Sequence, residues 1–202
     1  MSLWRVAEPL ILASKSAVRR AVLEAAGIPL QIDVADIDER GIEQRSGLAD
    51  PGEIAMLLSR EKARAVSAKQ PGRLVLGADQ TLALGERRFS KAADRDAARE
   101  QLQALRGRTH ALHSGVAVLR DGAVLYQHVE TARLTMREFS DRFLESYLDA
   151  AGQAATASVG GYQLEGLGSQ LMERVEGDHF TVLGMPLLPL LQWMRSERLL
   201  EA

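Results

Sequence analysis

A short apolar run, Leu10-Ile11-Leu12-Ala13, gives way to Ser14-Lys15-Ser16 and then to Arg19 and Arg20 at the start of a helical pattern. A helix N-terminus already carries a partial positive charge and unpaired N–H groups, so acidic residues usually sit there. Each cation crowding it costs roughly 0.3–1 kcal/mol. An anion such as phosphate bound among Lys15, Arg19 and Arg20 would reverse that sign. The alternative is a solvated basic turn in which Arg20 pairs with Glu24 one helical turn on.

Four further places hold side chains of chemical interest. Asp33, Asp36, Asp38, Glu39 and Glu43 form an acidic stretch after an apolar segment. Carboxylates at a strand end hold Mg²⁺ or orient water, or they make a solvated loop. Arg40 stands where an aspartate-nucleophile phosphatase motif needs Thr or Val, so that chemistry is rejected. Lys62 continues the apolar stripe of Ile54 and Leu58, either snorkelling to water or reaching inward as a point charge for phosphate. Gly77-Ala78-Asp79-Gln80 follows Leu74-Val75-Leu76. A carboxylate at the end of a buried strand sits where α/β folds bind ligands, or it closes a turn. In Gly160-Gly161-Tyr162-Gln163-Leu164-Glu165-Gly166-Leu167-Gly168 the glycines permit close backbone approach. There Glu165 has two acceptor oxygens that match the adjacent donors of a guanine Watson–Crick edge, or the segment is a plain loop.

Other chemistries lack their residues. The chain has no cysteine, so disulfides, thiolate metal sites and cysteine nucleophiles are excluded. There is no phosphate-binding Gly-x-x-x-x-Gly-Lys-Ser/Thr loop and no Gly-x-Ser-x-Gly elbow. His110 and His113, three apart on an expected strand, face opposite sides and make a poor metal pair.

The elements that must position these groups alternate. Strands are expected at Leu10–Ala13, Leu30–Val34, Arg73–Ala78 and Thr81–Leu84, with Asp79 and Gln80 between the last two. Two more, Thr109–Leu119 and Val124–Met136, flank the hairpin signal Asp121-Gly122. Helices are expected at Ala17–Ala26, from the Asp50-Pro51 start to about Lys69, and from the Asp94 cap to near Gly107. Ser140–Ala151, Gly166–Val175 and Pro186–Leu199 complete the set. Such alternation with a central hairpin is an α/β pattern with a mixed sheet.

With 202 residues, 46% hydrophobic and 26% charged, the chain has material for a packed core and no linker or repeat at which to cut it. One domain over 1–202 is expected. Lys+Arg 25 against Asp+Glu 27 gives a net charge of -2, which argues against a nucleic-acid coat. No apolar run nears the ~18 residues of a membrane span, and no leader peptide is visible. A soluble cytoplasmic chain without a membrane or nucleic-acid partner is the expectation.

Taken in order, Leu10-Ile11-Leu12-Ala13-Ser14-Lys15-Ser16…Arg19-Arg20, Asp38-Glu39, Glu61-Lys62-Ala63, Gly77-Ala78-Asp79-Gln80, Lys91, Leu105-Arg106-Gly107-Arg108-Thr109-His110, Glu165-Gly166 and Leu183-Gly184-Met185-Pro186-Leu187 resemble the Maf proteins over nearly the whole chain. These are named for an association with septum formation. The resemblance implies a Maf/ITPase-like fold: an extended central mixed sheet flanked by helices, with two lobes around a cleft. It implies a cytoplasmic nucleoside triphosphate pyrophosphatase that hydrolyses NTPs to NMP and diphosphate with a divalent metal, Mg²⁺ or Mn²⁺. The alternative is a nucleotide-binding regulator of cell division without turnover. Matched position by position, Asp79 is the proton acceptor and, with Glu39, the catalytic and metal-holding acid. Ser16, Arg19, Arg20, Lys62 and Lys91 are the phosphate-binding groups, and Val18, Gln80 and Glu165 take the base-selecting positions. Gln80 and Glu165 are similar to the 7-methyl-GTP subgroup. Ala17 and Ala92 replace prolines, and Val18 stands where that subgroup has Trp and offers no aromatic face to a cationic guanine. A homodimer is implied by resemblance only.

Overall fold

The computed structural model describes residues 3–201; Met1, Ser2 and Ala202 of the expected 1–202 domain lie outside the described residues. Two compact units emerge from the internal contacts. The first comprises the chain through Gln80, His113–Glu130 and the chain from Asp178 onward. The second comprises Thr81–Leu112 and Thr131–Gly177.

The strands are β1 (Leu10–Leu12), β2 (Leu30–Ile32), β3 (Val75–Leu84), β4 (Arg87–Phe89), β5 (Thr109–Arg120), β6 (Ala123–Met136) and β7 (Met172–Glu176). The helices are α1 (Ala17–Ala25), α2 (Glu39–Ser46), α3 (Pro51–Ser67), α4 (Arg95–Leu105), α5 (Asp141–Ala151), α6 (Ala154–Ala157), α7 (His179–Val182) and α8 (Leu187–Ser196). The sheet order is β2-β1-β3-β5-β6-β7, with β4 paired to β3. β1 runs parallel to β2 and β3, whereas the β3–β4 and β6–β7 pairs are antiparallel. This is the mixed α/β sheet expected from the alternation of elements.

Strand alternation sorts the first unit's core. Leu10, Leu12, Leu74, Leu76, Ala78, Val116 and Val118 join one cluster with Leu23 of α1 and Leu187, Leu190 and Met194 of α8. Ile11, Val75, Ala117 and Leu119 join the other, with Ala63 and Val66 of α3. Since successive residues of a strand point to opposite faces, Asp79 falls on the α3 face and Gln80 on the α1/α8 face.

α3 begins at the expected place. The Asp50 side chain accepts a hydrogen bond from the Glu53 N–H at 2.8 Å, with Pro51 in the first turn. It lies unusually close to β3. A Cβ on Gly77 would stand 2.0 Å from the Ser59 carbonyl oxygen and 2.7 Å from the Ala63 nitrogen. Only a residue without a side chain lets the helix settle there. That approach carries Lys62 to Asp79, midway along β3.

Four expectations are corrected. Asp79 and Gln80 do not separate two strands; β3 runs through them, because each polar side chain finds a partner on its own face. The acidic stretch is partly helical: α2 starts at Glu39 behind the Asp38 cap, whose carboxylate accepts from the Gly41 N–H. No helix covers Gly166–Val175; a 3₁₀ turn at Leu167–Leu171 leads into β7. The chain around Gln153 and His179 adds the short α6 and α7. The Asp121-Gly122 hairpin stands as read, with φ of 50° and 77° at its two central residues.

Gly77→Ala is expected to lower the urea midpoint by the equivalent of about 1–3 kcal/mol, the usual cost of overpacking. An unchanged midpoint would show that α3 can withdraw from β3 freely.

Candidate active site

Lys62, Glu39 and Arg19 of the first unit converge on Asp79, midway along β3. Lys62 Nζ donates to Asp79 Oδ1 at 2.6 Å and lies 3.0 Å from Glu39 Oε1. One ammonium thus bridges a carboxylate from β3 and one from the first turn of α2. Asp79 is 8% exposed. Burial pushes its carboxyl above the ordinary range, and the Glu39 charge pushes the same way; the Lys62 and Arg19 cations push it back down. A buried carboxyl raised by desolvation and restrained by named cations is a marker of a functional site.

Arg19 comes from the other side of the sheet. Its Nη1 donates to the Ala78 carbonyl at 2.7 Å and to Ser14 Oγ at 3.3 Å, and its Nε donates to the Gly184 carbonyl at 2.9 Å. Neutral oxygens hold this guanidinium. Its compensating charges are Asp79 and Glu39, which oppose the downward push of burial on its pKa. The Nη2 amine carries none of these bonds. Ser16 caps α1, its hydroxyl accepting from the Arg19 N–H at 3.3 Å. Arg20 does not join the cluster. It is exposed and pairs with Glu24 at 2.7 Å, as the simpler sequence reading had it. Val18 is half-buried on α1. Gln80 points to the α1/α8 face, where its amide nitrogen donates to Ser114 Oγ and to the Thr181 and Val182 carbonyls.

The remaining predicted residues belong to the second unit. Lys91 is exposed and forms an isolated antiparallel bridge with Val159. Glu165 is exposed in the glycine-bearing loop. That loop is anchored behind Glu165: the Tyr162 hydroxyl lies 2.6 Å from His110 Nε2, and the Tyr147 hydroxyl donates to the Gly161 carbonyl at 3.0 Å. His110 is buried, and its Nδ1 has no hydrogen-bond partner. Burial lowers its pKa from 6.5 to about 4.

Among the described residues, no group of three or more His, Asp or Glu side chains makes a ready metal cage. Asp79 and Glu39 alone converge, on a point that already hosts a cation. Likewise, no helix among the described residues is long and apolar enough to cross a membrane.

A family model described as Maf-like protein matches residues 9–197. The chain belongs to the Maf-like family. It is 58% identical over 201 residues, spanning 100% of both chains, to a protein of Nitrobacter winogradskyi named nucleoside triphosphate pyrophosphatase. Proteins of the same name from Bradyrhizobium diazoefficiens and Paramagnetospirillum magneticum are 58% identical over 200 residues and 51% identical over 188. The first of these alignments covers 99% of each chain; the second covers 92% of this chain and 97% of the relative.

In this Maf-like chain three supporting residues escaped residue-by-residue reading. Ser114 is a buried hydroxyl on β5 with nothing in its immediate sequence to set it apart, and Ser14, buried in the loop after β1, stood within the basic turn without a role of its own. Gly184 had a visible signal, a Gly-Met-Pro before the last helix, without a role attached. Its φ of 82° and its carbonyl on Arg19 supply one.

Removing Lys62 would strand the buried Asp79 carboxylate. Lys62→Met is expected to cost about 3–5 kcal/mol at neutral pH, the range for breaking a buried pair from one side. Asp79→Asn in that background is expected to recover most of it. The pH dependence follows from the direction of the Asp79 shift. A carboxyl raised in the folded chain is harmless below its unfolded value and costs stability as pH rises through the folded one. Lys62→Met raises it further, so the variant is expected to lose stability between acid and neutral pH more steeply than the parent in urea titrations. Equal slopes would disconnect Lys62 from Asp79.

His110 acts in the opposite sense. The unfolded chain takes up its proton near pH 6.5 and the folded chain only near 4. Stability is therefore complete above 6.5 and is lost as pH falls toward 4, by on the order of 3 kcal/mol. His110→Asn is expected to flatten that acid limb of the urea midpoint curve; an unchanged limb would place the titration elsewhere.

Proposed function

We propose that the protein hydrolyses nucleoside triphosphates to nucleoside monophosphate and diphosphate. The observation that carries this reading is the Lys62 ammonium held at 2.6 Å and 3.0 Å between Asp79 and Glu39, with Arg19 seated beside Asp79. Family membership and the names of its relatives support the same activity.

A triphosphate brings about four negative charges, which must be met before water can approach phosphorus. Lys62 is free to exchange its carboxylate contacts for phosphate oxygens. Arg19 adds a fixed positive charge, and its Nη2 amine remains available to an anion. The α1 N-terminus, where Ser16 uses only one of the unpaired N–H groups, adds more. The Arg20–Glu24 pair is exposed and worth about 0.3–0.5 kcal/mol, so Arg20 leaves it readily for a phosphate.

Asp79 and Glu39 are the carboxylates that would hold a hard divalent cation such as Mg²⁺ or Mn²⁺. When bound, such an ion neutralises phosphate charge and acidifies water. Asp79 then takes the proton of the attacking water. The water oxygen bonds to the α-phosphorus, the bond from that phosphorus to the bridging oxygen breaks, and diphosphate leaves with the electron pair. A carboxyl raised by burial is the better base near neutral pH. Base selection falls to Glu165, whose carboxylate accepts from a guanine edge, and to Val18, which leaves the methylated ring of 7-methyl-GTP without an aromatic partner.

Incubation with GTP, 7-methyl-GTP, UTP and dTTP in Mg²⁺ is expected to yield monophosphate and diphosphate in equal amounts. Asp79→Asn is expected to reduce kcat about a hundredfold or more. Orthophosphate as the sole product, or full turnover by Asp79→Asn, would overturn the reaction. Glu165→Gln is expected to weaken guanine substrates relative to pyrimidines; an unaltered ranking removes Glu165 as the base reader.

A further inference from the structure

Asp79 and Gln80 are neighbours on β3 and face opposite ways. Lys62 meets the first; the second meets α7. Gln80 Nε2 lies 2.9 Å from Ser114 Oγ, 3.1 Å from the Thr181 carbonyl and 3.1 Å from the Val182 carbonyl. Ser114 Oγ itself donates to the Thr181 carbonyl at 2.7 Å. A primary amide nitrogen has only two N–H bonds. Three acceptors of the fold itself share them, which leaves no donor for a nucleobase.

Two residues upstream, Arg19 makes a matching tie. It joins the Ala78 carbonyl of β3 to the Gly184 carbonyl just beyond α7. Residues 78–80 and 181–184 are thus linked by two rungs, one on each side of Asp79. The far end is held as well: Thr181 is fully buried, its Oγ1 donates to Glu130 Oε2 at 2.8 Å, and its N–H is capped by Asp178. Gly184 leaves little slack. A Cβ there would stand 3.2 Å from both Arg19 Nε and Nη2, on a backbone already at positive φ.

We propose that Gln80 is a positioning residue: its amide nitrogen pins the Thr181–Val182 carbonyls and so fixes the turn whose Gly184 carbonyl seats Arg19 beside Asp79. Its influence on turnover then passes through Arg19 and is blind to the base. Only the rate predictions rest on the pyrophosphatase reading above.

The test is Gln80→Met, which keeps length and removes the donor. kcat/KM for GTP, ATP, UTP and CTP is expected to fall about tenfold for each, with their ranking unchanged, as misplacement of a catalytic group does. In an Arg19→Lys background the same substitution is expected to change little, since the group it positions is already altered. Hydrogen exchange at the Arg19 Nε–H, followed by ¹⁵N NMR, is expected to quicken in Gln80→Met. Re-ranking of the bases, additive losses in the double variant, or unchanged exchange would each overturn the assignment. A parent protein that hydrolyses no triphosphate would sink the pyrophosphatase reading, and the exchange measurement would still decide the role of Gln80. If Gln80→Met fails to fold, Ser114→Ala removes one acceptor and part of the tie. Faster Arg19 exchange in that variant supports the proposal, and parental exchange overturns it.

Discussion

One ammonium group between two carboxylates organises the first unit. Lys62 reaches that point only because α3 lies against β3 where Gly77 has no side chain, and Glu39 reaches it only because Asp38 starts α2 one residue earlier. Burying a charge in a protein interior costs several kcal/mol unless a partner and hydrogen bonds compensate. Asp79 and Arg19 are both deeply set, and both are pushed by burial toward their neutral forms. Lys62 and then Arg19 oppose that push on Asp79, and Asp79 and Glu39 oppose it on Arg19. The cluster of Arg19, Lys62, Asp79 and Glu39 is formally neutral, and its two deeply set members, Asp79 and Arg19, depend on that balance.

The period-two geometry of a strand does the rest. Asp79 and Gln80 look like a single polar interruption in an apolar run, but a strand sends them to different layers. On one face the carboxylate meets Lys62; on the other the amide meets Ser114 and the α7 carbonyls. Arg19 crosses between these layers in mid-strand, through the Ala78 carbonyl. Chemistry and scaffold therefore share three consecutive residues, and a change at one is felt at the others.

This geometry also explains what the sequence disclosed and what it withheld. Short apolar runs and capped helix starts located β1, α1, α3, α4 and the β5–β6 hairpin, because those signals are local. The ordered motif set marked Arg19, Lys62, Asp79 and Glu39, and the fold brings these together. β3 was broken in two because polarity within a strand reads as a turn unless its partners, here Lys62 and Ser114, are known. β7 was read as a helix because Leu167, Leu171 and Val175 repeat at four-residue intervals. Of these only Leu171 is buried, and the segment pairs instead with β6. α2 has no buried residue at all, so no apolar stripe betrayed it. The acceptors of Arg19 and Gln80 are mostly backbone carbonyls, which side-chain identity cannot reveal.

A neutral resting cluster imposes an order on its own use. Lys62 occupies one oxygen of each carboxylate, Oδ1 of Asp79 and Oε1 of Glu39, so under the proposed reaction an incoming anion competes with both acids for the same ammonium. On the proposed reading a polyphosphate would be that anion, its oxygens replacing carboxylate oxygens around the same ammonium. On that reading the contact that balances the cluster is the one exchanged on binding, and part of the binding free energy goes into releasing the acids. Arg19, held by uncharged carbonyls, has no such exchange to make and keeps its place throughout. That division suits the reaction. Lys62 would exchange partners on substrate binding under that reading, and Arg19, bonded only to neutral oxygens, would hold the field at Asp79 as it does so.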